Sequence, residues 1–224
     1  MDIVYILGIG SSWENNEIRF SLRSIEKNIS DLGNVFVIGE RPPWLKNVFH
    51  IPAIDPYKTK WKNGAHKISI ACREEKISED FLLMNDDFFI VQKIKASDYP
   101  FYYEGMLSKV VKSTAHYIKN KKSSLYKFAI HRPFPINKKK FLALPPMPYH
   151  EEGFSVRDFY GNHYGEKGTP SRDPLLSPLK AKKDYDAIAE KYSDFSIFTA
   201  TARSPLFQKW IKEQFPEPSR YEMK

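Results

Sequence analysis

The sequence predicts an α/β fold: a single domain on a mainly parallel, Rossmann-like central sheet flanked by helices. Three observations carry this. Short apolar runs at 3–7, 35–38 and 81–84 have the length and β-branched or aromatic content of buried strands. Amphipathic segments separate them, and Gly or Pro clusters close them. Strands alternating with helices pair in parallel and bind ligands beyond their carboxyl ends.

The first strand, 3–7, opens into the turn Gly8-Ile9-Gly10-Ser11-Ser12. Ile18, Leu22, Ile25 and Ile29 then recur at helical spacing, with Asn15 and Asn16 as candidate caps. The second strand, 35–38, stops at Gly39 and the pair Pro42-Pro43, and 48–51 is a short third. A helix is expected over 63–76, and the strand 81–84 runs directly into Asn85-Asp86-Asp87. Both the 8–12 turn and the acidic turn therefore belong at the ligand-binding edge.

The second half reads as a looser, acceptor-side region. Residues 103–118 pattern as a helix and 127–130 as a strand, after which Pro133, Pro135, Pro145, Pro146 and Pro148 punctuate an irregular stretch. The glycines and prolines of 153–178 predict a long functional loop or lid, within about 145–180, and 205–215 a closing helix. Residues 1–100 would form the nucleotide-sugar-binding half and 101–224 the acceptor half. No repeat or low-complexity linker divides the 224 residues.

Composition narrows the partners. The formal charge of +8 favours an anionic partner: a nucleotide diphosphate, an acidic glycan, nucleic acid or a headgroup. Lysines cluster at 119–122, 137–140 and 180–183, either lining one face or forming a solvated surface. One cysteine, Cys72, excludes an internal disulfide and a cysteine zinc site, and its setting is the buried face of a helix. No run approaches the length of a membrane span and the first residues do not read as a signal peptide, so a soluble, cytoplasmic protein is expected.

The sharpest local signal is FLLMNDDFFI, two adjacent carboxylates between apolar runs. Charge at the end of a buried strand requires a compensating cation, either basic side chains or a metal. Carboxylate oxygens suit Mg²⁺ or Mn²⁺, which bridge to nucleotide phosphates; the alternative is that Asp86 or Asp87 caps the next turn. Gly8-Ile9-Gly10 lacks the third glycine of a dinucleotide fingerprint, and no P-loop is present.

The segments NNEIRFSLRSIEKN, VFVIGERPPWL, WKNGAHKI and ISEDFLLMNDDFF, in that order, resemble the Stealth family of sugar-phosphate transferases and their glycosyltransferase A (GT-A) relatives. There a helix reads ELRYSLRSIEK, a strand leads to a PxWL turn, and a later strand ends in NDD. His131-Arg132-Pro133, Ser155-Val156-Arg157-Asp158 and the closing FPEPSRYE resemble further segments of the same family. The resemblance implies a GT-A-like fold, a UDP-sugar or similar donor, a divalent metal, and transfer of a sugar or a sugar 1-phosphate. It implies Asp86 and Asp87 as metal-binding acids, Asp87 also acting in catalysis; His163, in GNHYG, is a separate candidate metal ligand or else an ordinary loop residue. Arg19 and Arg23 would lie beside the donor pocket, or pair with Glu26 or Glu14 in solvent. Asn63 would face the diphosphate, with Gly8, Gly10, Ser11 and Lys67 completing the donor-binding set. His131 and Arg157 would attend the transferred group; for His131 the alternative is a strand cap, whereas guanidinium suits phosphate oxygens. Asp158 or His131 would take the acceptor proton. Trp13, Trp44 and Trp61 stack on a base or sugar, or fill the core.

One departure matters. The family carries an acidic DGSD-like turn after its first strand, and here that turn is Gly8 to Ser12, which favours plain glycosyl transfer. The expected activity is thus metal-dependent transfer of a sugar to a hydroxyl of a glycan or of a modified nucleic-acid base such as one in DNA. The alternatives are sugar-1-phosphate transfer and a non-catalytic nucleic-acid-binding module.

Overall fold

The computed structural model describes residues 1–106, 125–147 and 154–223. Among these the strands are β1 (Asp2–Leu7), β2 (Val35–Gly39), β3 (Phe49–Ile51), β4 (Asp80–Met84), β5 (Phe88–Ile90), β6 (Phe101–Tyr103), β7 (Phe134–Asn137), β8 (Gly168–Pro170), β9 (Leu175–Leu176) and β10 (Asp194–Ile197). The helices are α1 (Asn16–Asn28), α2 (Lys60–Arg73), α3 (Lys138–Leu142), α4 (Val156–Tyr164), α5 (Lys182–Lys191), α6 (Thr199–Ala202) and α7 (Pro205–Gln214).

The expected α/β fold is present. Five strands in the order β3-β2-β1-β4-β7 form the central sheet, the first four parallel and β7 antiparallel on the outside of β4. Successive side chains of a strand point to opposite faces. Val4, Phe36, Ile38, Phe81 and Leu83 accordingly join α2 and α4 in one core, while Ile3, Tyr5, Val37, Leu82 and Met84 join α1 in another. Each such side chain fully buried is worth about 1.5–3 kcal/mol. Covering both faces is why these strands read as continuous apolar runs. A third core, with Phe89, Phe195, Phe207 and Trp210, packs β5 and β10 against α5 and α7.

Several local expectations are corrected. Asn15 starts α1 in the left-handed region, φ 59°, with no side-chain cap bond, and Asn16 is already helical. The second helix begins at Lys60, three residues earlier than expected. Residues 127–130 form no strand; the isolated bridge nearby joins Tyr126, just before them, to Met106. Of the expected helix 103–118, Tyr103 ends β6, 104–106 are not helical, and the rest lies outside the described residues.

The proline-rich stretch holds β7, with Pro135 opposite Leu82. This edge strand tolerates the missing N–H that a central one would not. The expected loop 153–178 contains α4, whose Phe159 and Tyr160 are core residues. Gly161 interrupts that helix pattern for a packing reason: a Cβ there would meet the Phe128 ring at 2.5 Å. α5 and β10 were not expected at all. Cys72 is buried as anticipated, and burial pushes its thiol up to about 12. No described helix is long and apolar enough to cross a membrane.

Candidate active site

From β1 the chain passes to β2 on one side, and later to β4 on the other. The strand order thus reverses at the β1/β4 pair, which opens a crevice beyond the carboxyl ends of the two strands. Gly8 leaves β1 there and Asn85 leaves β4. A cavity of about 410 Å³ lies between Trp61 and Ala65 of α2, Asn85, His131 and Arg157. A second, of about 250 Å³, runs over Gly8, Gly10, Ser11 and Asp86. They share Ile6, Lys60, Gly64 and Asn85, so the two make one continuous cleft. A larger cavity of about 610 Å³ lies at the opposite edge, beside Met1 and Asp80, away from every candidate residue.

Among the described residues, the acidic turn holds a buried carboxylate oxygen with no hydrogen-bond partner. Asp87 Oδ2 accepts a 2.8 Å hydrogen bond from Ser196 Oγ, which β10 delivers by pairing antiparallel with β5 so that Ser196 faces Phe88. Asp87 Oδ1 is buried with no hydrogen-bond partner among the described residues. Burial, then the charges of Asp87 and Glu17, push the Asp86 carboxyl up to about 7. Burial also raises Asp87, against the pull of Ser196, its own backbone, His131 and Arg157. An unpaired buried acceptor costs about 1–3 kcal/mol. Two frustrated carboxylates with an orphaned oxygen fit a hard divalent cation, which uses one or two carboxylates and takes its other oxygens from phosphate and water. Among the described residues no three His, Cys, Asp or Glu side chains converge as a metal cage.

The structure does not add His163 to this pair. It lies in the last turn of α4, its ring packed on Phe159 and Tyr164 at 5.8 and 4.8 Å. Arg157 lies in the first turn of the same helix, about 9 Å away along the axis by helical rise.

The second wall holds His131 and Arg157. The Asp173 carboxylate accepts from the His131 backbone N–H at 2.9 Å and lies 2.7 Å from Nδ1, fixing the ring. With Nδ1 donating to that carboxylate, Nε2 of the neutral ring is the acceptor. Burial raises Asp173, but the hydrogen bonds from His131 outweigh it and hold the carboxyl below its usual value. Arg157 donates through Nη1 to the carbonyls of Ile130 and Arg132, at 2.7 and 2.8 Å, and so holds the His131 loop. Burial lowers this guanidinium to about 10, and Asp87 is the strongest opposing charge. Asp158 is placed otherwise than expected. Its carboxylate accepts from the Ala129 amide at 2.7 Å beneath the cleft, and burial raises it to about 6. It supports the 129–131 segment and does not line the cavity.

On the first wall, Gly10 adopts φ 113°, open to glycine and strained for other residues. Ser11 Oγ donates to Glu17 at 2.6 Å, and Ser12 donates to the same carboxylate through N and Oγ at 3.0 Å. Glu17 thus folds a buried acid back onto the turn. Lys67 Nζ, buried at the cleft, pairs with Asp55 at 2.5 Å. Asn63 borders the same cavity, but its amide is spent on the backbone N–H and C=O of Tyr57, both at 2.9 Å.

Arg19 and Arg23 are directed elsewhere. Arg23 grips Glu222 through two 2.7 Å bonds, and Arg19 lies 3.7 Å from the same carboxylate, over the Trp44 ring. Neither lines the cleft: the closing segment binds the Arg23 guanidinium, and Arg19 faces the same Glu222 from over Trp44. Trp13 stacks on Phe20, while Trp61 packs on Phe154 and also borders the cleft.

Reading the sequence missed Glu17, Asp55, Asp173 and Ser196. Asp173 and Ser196 meet their partners across 42 and 109 residues, so no local pattern marks them.

No family model matches the chain, and no curated protein matches it in sequence. Solved structures match in layout. One is the galactosyltransferase LgtC in complex with donor and acceptor sugar analogues, 9% identical, with a TM-score of 0.46, covering 94% of this chain and 83% of that one. An active-site mutant of LgtC gives 12% identity and a TM-score of 0.42 over the same shares, 94% and 83%. The apo-form glycosyltransferase GlyE of Streptococcus pneumoniae TIGR4 gives 11% and 0.43, with 98% of this chain on 65% of that one. With TM-scores below 0.5, these likenesses carry no argument about the chemistry of this cleft.

Proposed function

We propose that the chain is a metal-dependent glycosyltransferase that moves a sugar from a nucleotide-diphospho-sugar, of the UDP-sugar class, to an acceptor hydroxyl of a glycan or a modified nucleic-acid base. The observation that carries this reading is the acid pair at the strand-order reversal, with Asp87 Oδ1 buried and unpartnered among the described residues. Asp86 and Asp87 would hold Mn²⁺ or Mg²⁺. When bound, the metal supplies positive charge to the diphosphate as it departs.

The chain's own residues have distinct tasks. The Gly8 to Ser11 turn lets the donor approach the backbone closely. Arg157 stands against charge developing in the cleft, where low polarity strengthens it. His131 Nε2 accepts the acceptor proton while Asp173 holds Nδ1. Asp158, expected as a rival base, supports the floor instead.

The test is thermal unfolding with nucleotide sugars, with and without Mn²⁺. A rise in Tm needing both ligands, and absent in Asp87→Asn, supports the reading. No response to any donor overturns it.

One observation favours a second reading. The acid that the first turn lacks in sequence is supplied by Glu17, whose carboxylate is buried against Ser11 and Ser12. This removes the reason for setting sugar-1-phosphate transfer aside, and product mass separates the two because only that reaction keeps the phosphate. The nucleic-acid module finds less support. Lys138 is tied to the carbonyls of Glu74 and Ile77, and Lys140 and Lys182 pair with Glu166 and Asp186.

A further inference from the structure

Behind the His131 loop lies a separate cavity of about 390 Å³. His131 borders the cleft, whereas the next residue, Arg132, forms the floor of this second space. Arg132 is buried and fixed in place. Nε and Nη2 bond to Asp194 at 2.8 and 2.6 Å, Nη1 to Ser171 at 2.8 Å and Nη2 to Ser193 at 3.0 Å, with Tyr102 stacked 3.5 Å beneath.

Asp194 is fully buried and neutralises Arg132, so the charge at the mouth comes from Arg172 and Lys191. Neither has a carboxylate partner among the described residues, and no acidic side chain among them lines the cavity. Two uncompensated cations beside an aromatic wall are groups that recognise an oxyanion, whereas the Ser171 and Ser193 hydroxyls spend their protons on the Arg172 carbonyl and on Asp194. The volume exceeds that of a lone phosphate and lies in the range of small-ligand sites.

We propose that this pocket binds a phosphate monoester carried by the acceptor saccharide, engaging Arg172 and Lys191 at its mouth. The segment that would grip the anion, 171–172, leads directly into Asp173, which orients His131. An acceptor held at 171–172 would thus bind to the same segment that orients His131. As an acceptor subsite the pocket rests on the transferase reading; as an oxyanion site it does not.

The experiment is calorimetric titration of the full chain with inorganic phosphate and with a hexose phosphate, in wild type and in the double variant Arg172→Ala, Lys191→Ala. Both side chains are exposed, so the variant should fold, and its thermal unfolding checks this. Saturable binding weakened about tenfold or more by the variant is the expected result. Absence of saturable binding, or equal affinity in the variant, overturns the site. Hexose phosphate binding more tightly than phosphate, with the same loss, assigns the anion to a saccharide; equal binding assigns it to the free ion and overturns the acceptor role. Failure of the Mn²⁺ and nucleotide-sugar test with phosphate binding intact would strike the transferase reading alone.

Discussion

The central sheet carries buried or half-buried carboxylates at both ends of its strands, and the fold treats them in opposite ways. At the amino edge, Asp2 accepts backbone N–H groups from Asn34 and Ser78, at 2.9 and 2.8 Å, tying β1 to the starts of its neighbours. At the carboxyl edge, Asp87 has one hydroxyl partner and an orphaned oxygen, and Asp86 stands beside it with its carboxyl raised to about 7. Asp194, outside this sheet, is satisfied like Asp2, by Arg132, Tyr99 and Ser193. A buried acid with all its bonds made is structural. One left short of bonds is held ready for something not yet bound.

The largest expected effect tests the satisfied side. Asp194→Ala should cost about 3–5 kcal/mol in denaturant unfolding, because it strands the buried Arg132 charge; a loss under about 1 kcal/mol would contradict that role. Next, Asp87→Asn should reduce metal-dependent donor turnover about 10²–10³-fold, as other lost electrostatic contacts do. Its thermal stability should not fall, since no charge partner among the described residues is hydrogen-bonded to it. A variant that unfolds instead would place Asp87 with the structural acids. Asp2→Ala should show the reverse: about 1–3 kcal/mol less stable, with two amides left unpaired, yet active at the temperature of assay.

The smallest effect is on pH dependence. The Asp86 carboxyl sits near 7 in the folded chain and 3.8 in the unfolded one. Between these values the folded state keeps a proton that the unfolded state has released. Metal-free stability should therefore fall as pH rises from about 4 to about 7 and level off above. Chemical denaturation across that range measures the slope, which Asp86→Asn should reduce, the raised Asp87 and Asp158 carboxyls supplying the remainder.

The two halves were not equally legible. Strands 3–7, 35–38 and 81–84 were readable because a sheet covered on both faces makes each run apolar throughout, and NDD stood out against that background. β10 gave no such signal: it reads DFSI, with Asp194 and Ser196 buried among apolar neighbours because each has a distant partner. α5 was missed because Tyr185 is its one buried residue, too thin a stripe to show helical period. The acid pair was legible from its local contrast. The dyad of His131 and Asp173 was not, since its second member sits in an ordinary-looking SRDP stretch. Arg19 and Arg23 were misplaced for the same reason: the glutamate that holds them is 199 residues beyond Arg23.

The Ser196 bond to Asp87 has a consequence during synthesis. A chain whose last residue is 190 contains the NDD segment, but has neither β10 to pair with β5 nor the hydroxyl that steadies Asp87. The clamp of Arg23 on Glu222 closes later still. Closing such long loops is slow compared with local helix formation. The acid pair therefore acquires its geometry only once β10 has paired with β5, and a chain cut before β10 lacks the finished site.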